Sequence, residues 1–148
     1  MFDATKIRAI SLDLDDTLWP VWPTIARAEL QMQGHLRPHA PATADLLADP
    51  QARGQLRDTV VSQKPASAHD MSALRLHMIE LALQRCGESA ALAQPAFQVF
   101  YAARQQVDLY ADCAQALARL AARFPLLALT NGNACLLYTS PSPRDATL

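Results

Sequence analysis

Two short apolar segments, each followed directly by a polar loop, constrain the fold of this chain more than any other feature. The first spans residues 7–12 (IRAISL) and leads into the acidic loop DLDDT at residues 13–17. The second spans residues 126–129 (LLAL) and leads into Thr130 and Asn131. Both segments have the length and composition of buried β-strands, and helical sequence separates them. Strands joined in this way pair in parallel, so the pattern predicts an α/β fold.

The sequence between the two strands predicts a set of helices broken by prolines. The joints fall at four positions: Pro38, Pro41, Pro50 and Pro65. The clearest helix has Asp70 as its N-cap, apolar residues at spacings of three and four, and Gly87 as the residue that ends it. A second helix is predicted over residues 90–106. The apolar stripes of these helices are typical of packing in a helical bundle.

Two further boundaries follow from local signals. Pro20 and Pro23 disfavour helix at the residues before them, so residues 18–23 are expected to be irregular. The sequence from Asp112 to Gln115 has the form of a capping box and predicts a helix that continues to about Arg123. That helix would lead directly into the second strand.

Composition excludes several classes of function. The 148 residues carry a formal net charge of −1 and an isoelectric point near 6.4, which gives no electrostatic footprint for nucleic acid or an anionic membrane. No apolar run approaches the roughly 20 residues that a membrane-spanning helix needs, and the first residues lack the apolar core of a secretory signal. The three cysteines fall in no metal-binding spacing, and an odd number argues against a disulfide framework. We therefore expect a cytoplasmic protein that binds neither nucleic acid nor membrane; oligomeric state is not predicted.

Asp13 and Asp15 are the candidate catalytic residues. Side chains two residues apart at a strand end point to the same side, and open parallel sheets bind ligands at that end. One carboxylate can attack phosphorus and the other can transfer protons, while Mg²⁺ is the cation preferred for offsetting their charge. The neutral Thr130 hydroxyl and Asn131 amide suit phosphate oxygens. Spacing alone leaves open a turn or helix-cap role for the acidic residues, and for Asp16 the turn role is favoured.

These segments resemble the motifs of a known family. DLDDT at residues 13–17 resembles motif I of the haloacid dehalogenase (HAD) superfamily, and LTNG at residues 129–132 resembles its motif II. The helical segment between them resembles the cap that members carry after motif I. The resemblance implies an α/β fold with a Rossmann-like parallel sheet, incomplete here, and an α-helical bundle cap inserted after the first strand. Residues 1–19 and 109–134 would form the core, and residues 20–108 the cap.

The resemblance also implies a role for each candidate residue. Asp13 would be the nucleophile that forms an aspartyl-phosphate, and Asp15 the general acid and base; Asp13 and the Asp15 backbone carbonyl would bind Mg²⁺. Thr130 and Asn131 would hold the phosphoryl oxygens, and Thr17 would support the motif I loop. Carbon–halogen dehalogenases of the superfamily lack an aspartate at the position of Asp15, which favours phosphate chemistry.

The sequence ALTNGNA at residues 128–134 follows a predicted helix and the segment FPL at residues 124–126. Within the superfamily, this arrangement most resembles bacterial phosphatases of riboflavin synthesis. The implied substrate is a small phosphorylated metabolite, with 5-amino-6-(5-phospho-D-ribitylamino)uracil and FMN as candidates. The alternative is a non-catalytic protein in which the helical section is an interaction module and the acidic loop is vestigial. The presence of both Asp13 and Asp15 favours the enzyme, because a module without catalysis need not keep both carboxylates.

The resemblance ends just after motif II. The later lysine of the family (motif III) and its acidic pair (motif IV) have no counterpart in this chain. Residues 135–145 (CLLYTSPSPRD) are identical to an in-frame translation of a transposase-type sequencing adaptor. We therefore expect residues 135–148 to be a non-native tail on a truncated fragment, and the polypeptide as written to be inactive.

Overall fold

The computed structural model describes residues 4–130, without the side chains of Ala4 and Ser67. The chain separates into two compact units. Among the described residues, one unit consists of residues 4–24 together with residues 106–130, and the other spans Ile25–Gln105. The family resemblance predicts these boundaries after residues 19 and 108. Within the part of the chain that is described, no helix combines the length and apolar character needed to cross a bilayer.

The helices and strands follow in chain order. A first strand, β1 (Ile10–Leu12), precedes five helices: α1 (Val21–Leu36), α2 (Pro41–Ala48), α3 (Pro50–Gln63), α4 (Met71–Cys86) and α5 (Ala93–Arg104). Helix α6 (Cys113–Ala121) and strand β2 (Leu126–Ala128) follow. Short 3₁₀ turns occur at Ala4–Lys6, Pro65–His69 and Ala90–Leu92. The predicted α/β fold, with helices inserted after the first strand, is confirmed.

The two strands pair in parallel, as predicted. The register places Ile10 opposite Leu126, and the Ile10 amide donates to the carbonyl of Pro125 at 3.0 Å. Strand β1 begins at Ile10 rather than at Ile7. The same register would set Ala9 opposite Pro125, which has no N–H to continue the ladder. Pro125 therefore limits the length of strand β1.

Helix α1 begins earlier than the prolines suggested. Residues 18–23 were expected to be irregular, but the helix starts at Val21 and includes Pro23. A proline in the first helical turn is tolerated because the N–H groups there have no partner within the helix. The prediction for the last part of this segment was therefore wrong.

The boundaries of α4 match the sequence signals. Oδ1 of Asp70 accepts hydrogen bonds from the amides of Ser72 and Ala73, both at 2.9 Å. Gly87 has a φ of 66° and ends the helix in the left-handed region, where glycine carries no steric penalty. Pro41 and Pro50 are the first residues of α2 and α3, so the predicted proline joints are also confirmed.

The Ile25–Gln105 unit encloses an apolar core to which all five helices contribute. Helix α4 packs against α2, α3 and α5 and is the central element of this unit. The buried cluster consists of Ala28, Met32, Leu36, Ala40, Ala44, Leu47, Leu56, Val60, Leu74, Met78, Ile79, Ala82, Leu83, Ala93, Ala96, Phe100 and Ala103. The predicted role of the apolar stripes as bundle contacts is confirmed.

A glutamate from outside helix α2 caps its N-terminus. The N-cap residue of α2 is an alanine and offers no side-chain hydrogen bond. Instead, the Glu88 carboxylate accepts from the amides of Ala42 at 3.1 Å and Thr43 at 2.9 Å. The Thr43 side chain and these two N–H groups hold the pKa of Glu88 below its ordinary value, although burial opposes them. The cap therefore joins the start of α2 to the segment that follows α4.

Glu88→Gln is expected to lower the free energy of unfolding at neutral pH. The amide offers one acceptor oxygen and no charge to two N–H donors at the positive end of a helix. Because the folded-state pKa of Glu88 lies below the ordinary value of 4.5, its stabilisation is complete above that pH. It is lost as the pH falls through the lowered folded-state pKa.

The measurement is urea unfolding of both proteins from neutral to acidic pH. The difference between their midpoints should be largest at neutral pH and should shrink in acid. Glu80→Gln, on the exposed face of α4, is the matched control and should leave the midpoint unchanged. A Glu88→Gln difference that stays constant down to strongly acidic pH would show that charge at the cap plays no part.

Helix α6 begins without the side-chain cap that the sequence predicts. Asp112 occupies the N-cap position, but its φ of −91° and ψ of −13° are helical and its side chain makes no cap hydrogen bond. An N-cap side chain reaches the helix amides from an extended backbone, so the capping-box prediction was wrong. The helix ends at Ala121 rather than near Arg123.

Candidate active site

The carboxyl ends of β1 and β2 lie side by side. Beyond the paired residues the amide of Leu129 donates to the carbonyl of Leu12 at 2.9 Å, so the parallel register continues to the ends of both strands. The loops that contain Asp13 and Thr130 therefore start at adjacent positions on one sheet edge. Asn131 lies outside the described residues. The structure thus brings the acidic loop and the start of the second polar loop to the edge where parallel sheets bind ligands.

Asp13 and Asp15 flank a buried leucine. Leu14 is 4% exposed, whereas Asp13 is exposed and Asp15 is half-buried. Oδ1 of Asp13 accepts a hydrogen bond from the amide of Leu14 at 2.8 Å. The leucine anchors the loop, and the alternation leaves both carboxylates nearer to solvent, as the period of two predicts.

The Asp15 carboxylate is joined to a tryptophan. The indole Nε1 of Trp19 donates to Oδ1 of Asp15 at 2.9 Å, and Trp19 is fully buried. The carbonyl of Trp19 accepts from the amide of Asp16 at 2.8 Å. From the sequence, Trp19 flanks the motif I loop and is expected to have a packing role, with a place at the substrate entrance as the alternative; the hydrogen bond to Asp15 was not predicted. No periodicity in the sequence points to this contact, because it depends on the path of the turn between Asp15 and Trp19.

Asp16 and Thr17 shape the loop. Asp16 has a φ of 57°, a left-handed conformation that aspartate tolerates better than most residues with a Cβ. Its Oδ1 accepts from the amide of Val21 at 2.9 Å, at the start of α1. Thr17 is exposed, and its carbonyl accepts a hydrogen bond from the Cys113 thiol at 3.9 Å. Asp16 is thus a turn and cap residue, the role that the sequence favours for it.

The acidic loop offers the oxygen ligands that Mg²⁺ takes in proteins. This cation is usually bound by one or two carboxylates together with water and substrate phosphate. The exposed carboxylate of Asp13 and the backbone carbonyl of Asp15 fit that donor set. Across residues 4–130, no group of three or more histidine, cysteine, aspartate or glutamate residues could hold a metal ion. The described residues therefore offer oxygen atoms that could serve as ligands, but no complete coordination sphere.

Comparisons with known proteins identify similar chains, although no family model matches the sequence. The sequence is 33% identical over 133 residues to the 5-amino-6-(5-phospho-D-ribitylamino)uracil phosphatase YigB of Escherichia coli (strain K12). That match covers 87% of this chain and 55% of YigB. The crystal structure of 2-haloacid dehalogenase from Pseudomonas syringae pv. Tomato DC3000 superposes with a TM-score of 0.76 at 30% identity. It covers 94% of this chain and 61% of the dehalogenase.

The chain therefore spans about half the length of the curated relative it matches. One relative is a phosphatase and the other is a dehalogenase. A shared fold does not by itself decide between these two reactions.

Proposed function

We propose that the chain belongs to the HAD superfamily, and that the whole protein is a Mg²⁺-dependent phosphomonoester hydrolase that acts through an aspartyl-phosphate. The observation that carries the proposal is the position of Asp13. It is an exposed carboxylate one residue beyond β1, with Asp15 two residues further on and the loop after β2 at the same sheet edge. One carboxylate that attacks and a second that transfers protons are the two groups that this hydrolysis requires.

The leaving group decides between the two reactions that the relatives suggest. A halide departs from carbon without needing a proton, whereas the alcohol of a phosphomonoester leaves far more readily when its oxygen is protonated. Asp15 supplies an acid next to the nucleophile. Its presence supports phosphate chemistry over carbon–halogen cleavage.

The proposed reaction has two steps. In the first, a carboxylate oxygen of Asp13 attacks phosphorus, the bond from phosphorus to the ester oxygen breaks, and Asp15 protonates the departing alcohol. In the second, Asp15 takes a proton from a water molecule that attacks phosphorus, and the bond between phosphorus and Asp13 breaks. Inorganic phosphate is released and both carboxylates return to their starting states.

Residues around the two carboxylates would hold the phosphoryl group. Thr130 is half-buried at the start of the second loop, and its hydroxyl, with the amide of Asn131, would donate to phosphoryl oxygens. Thr17 would support the motif I loop through its backbone. When bound, Mg²⁺ would neutralise negative charge on the transferring group, held by the Asp13 carboxylate and the Asp15 carbonyl.

The proposed substrate is a small phosphorylated metabolite. YigB acts on 5-amino-6-(5-phospho-D-ribitylamino)uracil, and this compound and FMN are the first candidates for the whole protein. We assign to the helical Ile25–Gln105 unit the role of the cap that selects the leaving group. A cytoplasmic location is proposed with it, because the thiols of Cys86 and Cys113 suit a reducing compartment.

The test is an assay of the whole protein against a panel of phosphomonoesters and 2-haloacids. We expect phosphate release from at least one phosphomonoester, loss of that activity with EDTA, recovery with added Mg²⁺, and no halide release. Halide release without phosphate release would make the protein a dehalogenase. No turnover of any compound would favour the non-catalytic alternative.

A further inference from the structure

The hydrogen bond between Trp19 and Asp15 joins a fully buried donor to a half-buried carboxylate. An indole has a single N–H and no acceptor, so burial of the ring requires one partner for that N–H. The partner here is Oδ1 of Asp15 at 2.9 Å. Because the acceptor is a carboxylate, this is a charge-assisted hydrogen bond and one of the stronger kinds.

The backbone around the indole leaves it little freedom to move away. The amide of Asp16 donates to the Trp19 carbonyl at 2.8 Å, and the amide of Leu18 donates to the carbonyl of Leu14 at 2.8 Å. The carbonyl of Leu18 in turn accepts from the amide of Tyr110 at 2.9 Å. The turn that carries Trp19 is therefore tied both to the acidic loop and to the segment that precedes α6.

We propose that Trp19 is a positioning residue that fixes the orientation of the Asp15 carboxylate for proton transfer. This inference rests on the proposed function, since it needs Asp15 to be the general acid and base. An acid that must deliver a proton to a departing oxygen and later take one from water works fastest when its carboxylate is held in one orientation. A rigid, buried N–H donor provides that orientation without occupying the space of a substrate.

A purely structural role for Trp19 is the competing interpretation, because a large buried ring stabilises any loop. Trp19→Phe separates the two roles, since phenylalanine keeps most of the apolar ring and removes the donor. Loss of positioning should lower kcat about 10-fold or more with KM within about 2-fold. A structural role should instead lower the thermal midpoint and leave kcat of the folded protein unchanged. Trp22→Phe is the matched control, because Trp22 is 73% exposed, and it should keep the kcat of the wild type.

A double-mutant cycle tests whether Trp19 acts through Asp15. In an Asp15→Asn background, where the general acid is already lost, Trp19→Phe should lower the residual kcat no further. Equal effects of Trp19→Phe in both backgrounds would overturn the proposal. An unchanged kcat of Trp19→Phe in an otherwise active enzyme would overturn it as well.

The hydrogen bond can also be measured without any assay of activity. In the ¹⁵N-correlated spectrum of the whole protein, the indole N–H signals of Trp19 and Trp22 are assigned as those missing from the spectra of Trp19→Phe and Trp22→Phe, respectively. Asp15→Asn should shift the Trp19 signal and leave the Trp22 signal in place; an unmoved Trp19 signal would overturn the proposal. If the wild-type protein hydrolyses no phosphomonoester, the proposed function fails and the positioning role fails with it. If the wild type is active and Trp19→Phe matches it, only the positioning role fails.

Discussion

Asp13→Asn in the whole protein is expected to lower kcat for phosphate release by about 10³-fold or more. The substitution keeps the size and shape of the side chain, and the amide oxygen can still accept from the Leu14 amide, which bonds Oδ1 of Asp13 at 2.8 Å. What it removes is the negative charge that makes the side chain a nucleophile. The loop should therefore keep its geometry while the first chemical step is lost.

Asp16→Asn is the matched control for this experiment. It makes the same chemical change three positions along, at a residue that turns the chain and accepts from the Val21 amide at 2.9 Å. Asparagine tolerates the left-handed backbone and retains an acceptor oxygen, so activity should stay within about 3-fold of the wild type. Equal losses in both variants would assign the effect to the structure of the loop. Wild-type turnover in Asp13→Asn would refute the role of nucleophile.

Glu29→Ala should have the largest effect on stability, lowering the free energy of unfolding by about 3 kcal/mol. Oε1 of Glu29 lies 3.0 Å from Nη1 of Arg75, and Oε2 lies 3.3 Å from Nη1 of Arg53. The three side chains are 12%, 19% and 24% exposed, respectively. One carboxylate therefore balances two guanidinium groups that are mostly removed from water.

Arg75 is the group most affected by the loss of Glu29. Its guanidinium lies over the ring of Phe100, 4.4 Å from the centroid. Burial lowers the pKa of Arg75, the charge and hydrogen bond of Glu29 oppose that effect, and the positive charge of Arg53 adds to it. Without Glu29, two like charges remain together in a poorly solvated place. Arg53 is better protected, because its Nη1 also donates to the carbonyl of Leu47 at 2.7 Å.

Urea unfolding followed by far-ultraviolet circular dichroism measures this effect, since the helical unit supplies most of the signal. Asp45→Ala is the control: it removes the ion pair between Arg37 and Asp45, whose side chains are 56% and 69% exposed. An exposed pair of this kind contributes about 0–1 kcal/mol, so Asp45→Ala should change the free energy of unfolding very little. If Glu29→Ala lowers the free energy of unfolding no more than the control does, the ion pairs of Glu29 are too well solvated to stabilise the fold.

The sequence predicted the helix ends that depend on interactions between residues close together in the chain. The N-cap at Asp70, the left-handed glycine at Gly87 and the helix starts at Pro41 and Pro50 are set by interactions within a few residues. The predicted cap at Asp112 was wrong, because a pattern of residues does not determine the backbone angles that an N-cap requires.

Contacts between residues far apart in the chain could not be predicted from the sequence patterns. The cap on α2 comes from Glu88, more than forty positions away along the chain, and no motif links the two. Strand β1 is shortened by Pro125, which is seen only once the parallel register is known. The ion pairs of Glu29 join three helices, and each residue alone resembles an ordinary surface charge.

The candidate site likewise contains residues that the sequence could predict and one interaction that it could not. Asp13 and Asp15 could be selected from their spacing after a strand, and the parallel pairing of β1 with β2 brings the loop of Thr130 to the same edge. The hydrogen bond from Trp19 could not be selected, because it depends on the path of a turn and not on periodicity. The roles of these residues remain predictions for the experiments above.

We propose that Asp13 carries the phosphoryl group during turnover. The direct test is to quench the whole protein with acid during hydrolysis of a phosphomonoester and to locate the phosphoryl group by peptide mass spectrometry. The account predicts a single phosphorylated peptide that contains Asp13, with no such peptide in Asp13→Asn. A phosphoryl group on any other residue, or an active enzyme that is never phosphorylated at Asp13 under conditions that trap acyl phosphates, would contradict it.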